Sequence, residues 1–349
     1  MAANYEMLTL AREARGKTQV KLSKDTGISQ SKISKIESGN RPLADDDVAA
    51  FAAALSYPSE FFYRGGKQYG QGTVCHHRKR QSVGIEKLRQ IHACMNVMRM
   101  ATSDLLNGVE INATHSFPLM EVDDYGTPEQ IAQLVRQTWQ LPLGPIKSMI
   151  GVAEAAGGIV VPCDFGTDKL DAISQRPEAS PPFFFVSTTA PGDRLRFNLA
   201  HELGHIIMHS APAPGQEEEA NAFAAEFLMP AKEIKPQLRK LDMAKLTDLK
   251  RHWKVAMQAL IMRAYTLGVI TDRQRRSWFM RFGKLGYRKA EPVAIEREEP
   301  ALIRRVIDFH RQQHGYSDSE LCRAARLTEQ EFQSIYGTKE QPRLRLVST

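Results

Sequence analysis

Cysteine is scarce in this chain of 349 residues, and its four cysteines lie far apart without a Cys-x-x-Cys pair. This spacing excludes a disulfide framework and a zinc site built from cysteine pairs, and it favours reduced thiols. Long apolar runs are also missing, since none approaches the roughly 18 residues of a membrane span. The N-terminal letters MAANYEMLTLAREARGK lack the continuous apolar core of a secretory signal. We therefore expect a cytoplasmic protein that does not enter a membrane.

The chain has no large excess of charge, but its positive charge is unevenly placed. The formal net charge is +7, and residues 1–80 contain 13 Lys and Arg against 8 Asp and Glu. With 42% hydrophobic and 25% charged residues, the composition is that of a globular protein. The length suggests two or three domains. The basic N-terminal end predicts a polyanionic partner for that part of the chain.

Residues 5–63 have the pattern of a compact, all-helical domain. A first helix stops near Gly16, Thr18 is a suitable cap for a second helix, and Gly27 marks a tight turn before a third. The polar side of the third helix carries Gln30, Ser31, Lys32 and Lys35. A helix that enters the major groove of DNA needs short hydrogen-bonding and basic groups there. A solvated helix face would explain the polarity but not the helix–glycine–helix spacing, so DNA binding is favoured over a structural or protein-docking role.

The run TQVKLSKDTGISQSKISKIESGNRP resembles the helix-turn-helix of the lambda-repressor or XRE family across helices two and three. The resemblance implies that Gln19 touches a backbone phosphate and that the four polar residues of helix three face the groove. It also implies that Asn40 and Arg41 meet phosphates. Double-stranded DNA is the partner that the family implies, bound by a homodimer on paired half-sites, although no residue pattern here marks a dimer surface.

Residues 66–116 predict a basic, helical connector. A glycine-rich joint comes first, followed by Cys75-His76-His77 with a basic tail. Neighbouring residues of an extended chain point in opposite directions, and no partner Cys or His pair lies near. A basic solvated or phosphate-contacting segment is therefore favoured over a metal site. Residues 84–107 follow with apolar residues at helical period, which is typical of a packed helix.

The sequence His201-Glu202-Leu203-Gly204-His205 places two imidazoles four residues apart. Residues i and i+4 of a helix lie on one face, so these two histidines can hold one Zn²⁺. Glu202 then lies beside the metal as a base, which is the pattern of a hydrolase that activates water on zinc. Gly204 lowers helix propensity by roughly 1 kcal/mol relative to Ala, and a close approach by another backbone would explain it.

A catalytic zinc takes three protein ligands, and the third is expected from the next helix. Glu217 and Asn221 share a face of that helix, so we predict that Glu217 is the ligand and that Asn221 orients a ligating imidazole. Glu218 and Glu219 are predicted to be solvated, but either is an alternative ligand in this acidic first turn. His209 is a further competitor, although a residue in its position more often caps or packs.

The letters HELGHIIMH, followed by E-x-x-A-N-x-F-A-A-x-x-L-M-P, closely resemble the ImmA/IrrE family of zinc metallopeptidases. The likeness covers about residues 117–270, and fusion to an XRE helix-turn-helix is a recognised arrangement of the family. It implies a thermolysin-like, gluzincin core with one Zn²⁺ per chain. The implied ligands are His201, His205 and Glu217, with Glu202 as catalytic base. It also implies a protein substrate, a repressor that the domain cleaves or engages to release transcription.

Taken together, the patterns predict a multidomain, mainly α-helical chain. The expected parts are an N-terminal five-helix lambda-repressor-like domain (1–65), the connector (66–116), a central α+β zincin-like domain with a small sheet (117–235) and a helical C-terminal region (236–349). Strand 183–187 is predicted to hold an extended substrate by edge pairing. Residues 299–336 faintly resemble another helix-turn-helix, but its acidic second helix argues against DNA reading.

Three interpretations of the function stay open at this point. The first is a DNA-binding transcriptional regulator with an active zinc endopeptidase domain. The second is a transcription factor whose peptidase-like domain senses a ligand or partner and cuts nothing. A third interpretation is a phage or antitoxin regulator.

Overall fold

A computed structural model describes residues 2–65, 83–177, 180–288 and 290–337. In chain order, the helices are α1 (Tyr5–Ala14), α2 (Gln19–Thr26), α3 (Gln30–Glu37), α4 (Asp45–Leu55), α5 (Ile85–Leu106), α6 (Val122–Tyr125), α7 (Pro128–Thr138), α8 (Met149–Ala155), α9 (Gly192–Met208), α10 (Gln216–Leu228), α11 (Ala231–Ile234), α12 (Met243–Trp253), α13 (Met257–Thr266), α14 (Asp272–Lys284), α15 (Leu302–Gln313), α16 (Asp318–Ala324) and α17 (Glu329–Tyr336). The strands are β1 (Ile159–Cys163), β2 (Ala172–Gln175) and β3 (Phe183–Ser187), and a 3₁₀ helix occupies Ser59–Tyr63. The predicted mainly helical fold with one small sheet is confirmed. In these described ranges, no helix is long and apolar enough to cross a bilayer.

Contacts within the chain divide the described residues into two compact units. The first unit contains residues 2–65, 85–110 and 303–337, and the second contains residues 83–84 and 111–302. The domain boundaries at residues 65, 116 and 235 that the sequence suggests differ from this division, and they stay a prediction.

The first unit begins with the short capped helices expected from the sequence. Thr18 Oγ1 accepts a hydrogen bond from the Lys21 amide at 3.1 Å, and Ser29 Oγ accepts one from the Lys32 amide at 3.3 Å. These bonds satisfy backbone donors at the starts of α2 and α3. Gly27 ends α2 with φ +74°, a left-handed conformation that glycine adopts without strain. The buried core under these helices includes Leu8, Leu22, Ile33, Ile36 and Phe51.

The sheet of the second unit has the order β1-β3-β2, with β1 parallel and β2 antiparallel to β3. Strand β3 is therefore central, and its backbone is paired on both sides. The prediction that residues 183–187 hold a substrate by edge pairing is wrong for this reason. Strand β2 is an edge strand that sequence reasoning did not find, because its four residues are too few to establish a period of two.

Helix α9 crosses the core of the second unit and packs on α8, α10 and the sheet. It begins at Gly192 and ends at Met208. Most of its residues are buried. The core that covers it includes Ile131, Val135, Phe184, Phe223 and Phe227.

Lys250 is a buried cation that joins three helices of the second unit. It is 2% exposed. Its Nζ donates to Asp193 Oδ2 in the first turn of α9 at 2.5 Å and to Glu291 Oε2 at 2.8 Å. Glu291 Oε2 also accepts from the backbone amide of Met257 at the start of α13, at 2.7 Å. The ammonium and the two carboxylates therefore hold α9, α12 and α13 together.

We expect Lys250→Met to lower the free energy of unfolding by about 3–5 kcal/mol, because two buried carboxylates would lose their counter-charge. Arg251→Met is the matched control, since the neighbouring Arg251 pairs with Asp248 on the surface and should matter little. Urea denaturation of both variants measures the difference. Equal stabilities of Lys250→Met and Arg251→Met would contradict this role of the buried cation.

Candidate metal site and nucleic-acid interface

His201 and His205 lie one turn apart on α9, and the Nε2 atoms of their rings face each other. Their Nε2 atoms are 3.0 Å apart. The residues are 7% and 2% exposed, so water screens them little. Two imidazole nitrogens this close need a shared proton or a cation between them, because facing lone pairs repel each other.

Helix α10 brings a carboxylate to the same point. Glu217 Oε2 lies 3.7 Å from His201 Nε2, and Glu217 Oε1 lies 3.4 Å from His205 Nε2. In the part of the chain that the structure describes, these three residues are the one group of His, Cys, Asp or Glu donors close enough together to hold a metal ion. We call them the donor cluster. The structure thus brings together the three predicted ligands, while their role as ligands stays a prediction.

The approach of α10 to α9 depends on Gly204. A Cβ at this position would lie 3.1 to 3.3 Å from atoms of the buried Phe223 side chain on α10. Glycine therefore lets the two helices pack more closely than any other residue would. The neighbour is a side chain rather than the backbone suggested from the sequence. This close packing puts the first turn of α10 within reach of the two histidines.

A hydrogen bond fixes the orientation of the His201 ring. Its Nδ1 lies 3.1 Å from Oδ1 of Asn221, one turn after Glu217 on α10. An amide oxygen accepts, so the proton of the neutral ring lies on Nδ1 and the lone pair on Nε2. Asn221 stands where the sequence prediction put it, behind an imidazole whose Nε2 points into the donor cluster.

Two hydrogen bonds in series fix the orientation of the His205 ring. Its Nδ1 lies 2.9 Å from Nδ1 of His209, and Nε2 of His209 lies 2.9 Å from Glu219 Oε2. Burial, and after it the neighbouring His205, lowers the pKa of His209, which favours the neutral form of this ring. A neutral His209 that donates from Nε2 to the carboxylate accepts at Nδ1, and this leaves the Nε2 lone pair of His205 for the donor cluster.

Sequence reasoning missed this chain of contacts. It treated His209 as a cap or packing residue and Glu219 as solvated. His209 does follow the last residue of α9, and its backbone amide bonds to the carbonyl of His205. The signal was present in the spacing, since positions i and i+4 of a helix face each other, but the partner on α10 is a tertiary contact.

Glu202 is 2% exposed and stands outside the donor cluster. Its Oε2 accepts hydrogen bonds from the backbone amide of Ser174 at 2.7 Å and from the Ser174 hydroxyl at 2.6 Å. Ser174 belongs to β2, the strand that the sequence did not reveal. Two donors on one oxygen fix the orientation of the carboxylate.

A cleft of about 240 Å³ opens beside the donor cluster. It is lined by Lys169, Leu170, Asp171, Ala172, Asn198, His201, Glu202, Glu217, Glu218 and Asn221. Asp171 is held by Arg194 and Asn198, which each donate to one of its oxygens at 2.7 Å. His201 and Glu217 of the donor cluster and Glu202 thus line one cleft.

In the first unit, α3 exposes much of the polar side predicted to face DNA. Gln30, Ser31 and Lys35 are exposed. Gln30 Nε2 donates to Gln19 Oε1 at 2.8 Å, and Gln19 Nε2 donates to Glu37 Oε2 at 2.8 Å. This series of hydrogen bonds orients both amides at the surface where α2 and α3 meet.

The remaining residues of the predicted interface differ in their surroundings. Lys32 Nζ pairs with Asp47 Oδ1 at 2.6 Å, so that this cation is partly neutralised within the domain. Asn40 Nδ2 donates to Ser38 Oγ at 3.0 Å, and Arg41 is exposed. The predicted DNA contacts remain predictions, and Cys75-His76-His77 lies outside the described residues.

Comparison with known families assigns a type to a part of each unit. Residues 6–59 match the model of a helix-turn-helix domain, and residues 153–265 match a peptidase-family model, the IrrE N-terminal-like domain. The chain joins a helix-turn-helix domain to an IrrE N-terminal-like domain. No curated protein matches the chain.

The IrrE N-terminal-like match contains all of α9 and α10, and with them the donor cluster, Glu202 and the two imidazole partners. Families of this type are typically metal-dependent. The helix-turn-helix match contains α1 to α4 and supports DNA binding. The predicted fusion of a helix-turn-helix domain to an ImmA/IrrE-type peptidase domain is thereby confirmed.

Replacing His209 tests whether it orients His205. We expect His209→Phe to lower the affinity of the chain for zinc by roughly 10- to 100-fold, because His205 loses its hydrogen-bond acceptor. Competition with a chromophoric chelator measures this affinity. The exposed His252→Phe on α12 is the control. Equal zinc affinities for the two variants would show that His209 has no such role.

Proposed function

We propose that this chain is a cytoplasmic, DNA-binding transcriptional regulator whose IrrE N-terminal-like domain is a zinc-dependent endopeptidase that cuts a regulatory protein. The observation that carries the proposal is the convergence of His201, His205 and Glu217, with Glu202 fixed beside them. The match to a peptidase family supports the same type of chemistry.

The donor cluster fits a zinc ion in composition and in size. Two imidazole nitrogens and a carboxylate oxygen are a donor set of catalytic zinc sites that keep a fourth position open. Ligands at about 2.0–2.1 Å from a tetrahedral ion lie about 3.3 Å from one another. The separations here are 3.0, 3.4 and 3.7 Å, so one Zn²⁺ per chain requires little rearrangement.

When bound, zinc acts as a Lewis acid and lowers the pKa of a water molecule. Glu202 accepts a proton from the water that attacks the peptide carbonyl, and it then gives this proton to the leaving amine. Ser174 keeps the Glu202 carboxylate in position during both transfers. Asn221 and His209 keep the two imidazoles in the tautomer that leaves Nε2 for the metal.

The exposed side of α3 supports double-stranded DNA as the ligand of the first unit. Gln30 and Ser31 offer hydrogen-bonding groups for base edges, and Lys35 and Arg41 offer charge for phosphates. A regulator that holds DNA and a peptidase in one chain fits a protein substrate that acts at the same promoter, such as a repressor. Homodimer formation on paired half-sites is part of this proposal through the resemblance to lambda-repressor-like proteins.

The variant Glu202→Gln separates cleavage from sensing. It keeps the ligands and the shape of the site, so zinc and DNA should still bind, but it cannot accept a proton. We expect cleavage of the cognate repressor to fall by roughly 10²- to 10⁴-fold. The assay incubates the full-length chain with proteins encoded by neighbouring genes and follows their fragments by mass spectrometry, with and without chelator.

Glu299→Gln, an exposed glutamate of the same unit, is the control and should leave cleavage unchanged. If Glu202→Gln regulates its promoter as the wild type does, proteolysis is not the mechanism. The domain would then be a sensor that cuts nothing.

A further inference from the structure

The C-terminal helices α15, α16 and α17 repeat the spacing of helix caps and turns found in α1, α2 and α3. In the N-terminal set, the caps of the second and third helices are Thr18 and Ser29, eleven residues apart. In the C-terminal set they are Ser317 and Thr328, again eleven residues apart. In each case the hydroxyl of the cap accepts a hydrogen bond from the backbone amide three residues later.

The turns also coincide. A glycine with positive φ precedes the first cap by two residues in both sets, Gly16 at +61° and Gly315 at +66°. Nine residues after the first cap comes a second positive φ, +74° at Gly27 and +49° at Arg326. Arginine rarely adopts this conformation, so the fold rather than the residue imposes the turn.

The buried positions match in the same register. Pairs at equal distance from the caps are Met7 and Val306, Leu8 and Ile307, Leu22 and Leu321, and Ile33 and Phe332, all of which are buried. Helix α17 also ends at the same distance from its cap as α3 does. Residues 304–336, which we call the C-terminal copy, therefore share the spacing of caps, turns and buried positions of residues 5–37.

The C-terminal copy carries carboxylates at positions where α2 and α3 carry polar or basic side chains. Asp318 stands in the position of Gln19, Glu320 in that of Lys21 and Glu331 in that of Lys32. No Lys or Arg occurs in α17. Carboxylates at these positions repel phosphates, so the C-terminal copy is unsuited to reading DNA.

One of these carboxylates instead binds the DNA-binding domain. Glu331 accepts two hydrogen bonds from the Arg15 guanidinium, at 2.9 and 3.0 Å. Arg15 follows the last residue of α1, and it also donates to the carbonyls of Leu55 at 2.7 Å and Ser56 at 3.0 Å. It stacks on the buried ring of Tyr57 at 4.0 Å. The ion pair thus holds a side chain that ties the end of α1 to the end of α4.

Helix α5 contacts both the N-terminal helices and the C-terminal copy. Helix α1 packs along it, and Cys94 Sγ of α5 donates to the carbonyl of Ala14 at 3.4 Å. The C-terminal copy contacts the same helix through Tyr336, whose hydroxyl lies 2.7 Å from Thr102 Oγ1. His310 Nε2 donates to the carbonyl of Leu105 at 2.6 Å.

We propose that the C-terminal copy is a second helix-turn-helix that does not read DNA and instead braces the DNA-reading one through the Glu331–Arg15 pair. The partner surface is the end of α1 with the end of α4. The part of the proposal that concerns DNA rests on the proposed DNA binding by α3. The brace itself does not, because it is a contact within one folded unit.

The brace is tested by Glu331→Gln, with Glu329→Gln as the matched control. Glu329 lies on the same helix but is exposed. We expect amide hydrogen exchange at the end of α1 and at Leu55 and Ser56 to be about tenfold faster in Glu331→Gln, as for loss of a half-buried charge-assisted hydrogen bond. The control should exchange like the wild type. Equal exchange in the two variants would overturn the brace.

Two position-matched double variants test whether the C-terminal copy contributes to DNA binding. Ser31→Ala with Lys35→Ala alters α3, and Gln330→Ala with Ser334→Ala alters the corresponding positions of α17. Affinity for an operator selected from random duplexes should fall at least tenfold for the first pair and stay within twofold for the second. A comparable loss in both would overturn the assignment, because α17 would then read DNA. If the wild-type chain selects no operator, the proposed function fails, while the exchange experiment still decides the brace.

Discussion

The geometry of the candidate metal site depends on how closely α10 packs against α9 at Gly204. The three donor atoms come from two helices, so the distance between the helix axes decides whether they converge. Phe223 fills the space that a side chain at position 204 would occupy. Because protein cores are close-packed, a shift of α10 by a few tenths of an ångström would move Glu217 and Asn221 together away from the histidines.

Gathering so many polar groups in a buried place is unfavourable unless each has a partner. His201 has Asn221, His205 has His209, and Glu202 has Ser174. Each contact satisfies a buried group and at the same time fixes its orientation. These contacts offset the cost of burying the polar side chains. They also orient the two imidazoles for metal binding and the Glu202 carboxylate for action as a base.

Contacts within one helix were predictable from the sequence, and contacts between elements were largely not. The period of the α-helix alone places His201 and His205 on one face, and it relates Glu217 to Asn221. The shared helix face with Asn221 favoured Glu217 among three consecutive glutamates, and the family resemblance supported the same choice. Ser174 was missed because β2 is too short for a recognisable period, and the His209–Glu219 contact because nothing local specifies it.

The C-terminal copy shows a different limit of sequence reasoning. Few of its residues are identical to those of α1 to α3, and Glu320 and Glu331 stand where the N-terminal set has Lys21 and Lys32. The amino-acid sequence alone shows only a faint resemblance to a helix-turn-helix. What persists is the spacing of caps, turns and buried positions, which becomes evident once the backbone conformation of Arg326 and the burial of Phe332 are known.

The central claim, that two imidazoles and Glu217 hold one zinc ion, is tested most directly by zinc K-edge X-ray absorption with metal analysis on the purified full-length chain. The account predicts one zinc per chain, surrounded by nitrogen and oxygen ligands at about 2.0–2.2 Å that include two imidazoles. Glu217→Gln should lose zinc more readily, with both imidazole signals kept in what remains. A chain without stoichiometric metal, or a zinc shell containing sulfur at about 2.3 Å, would contradict it.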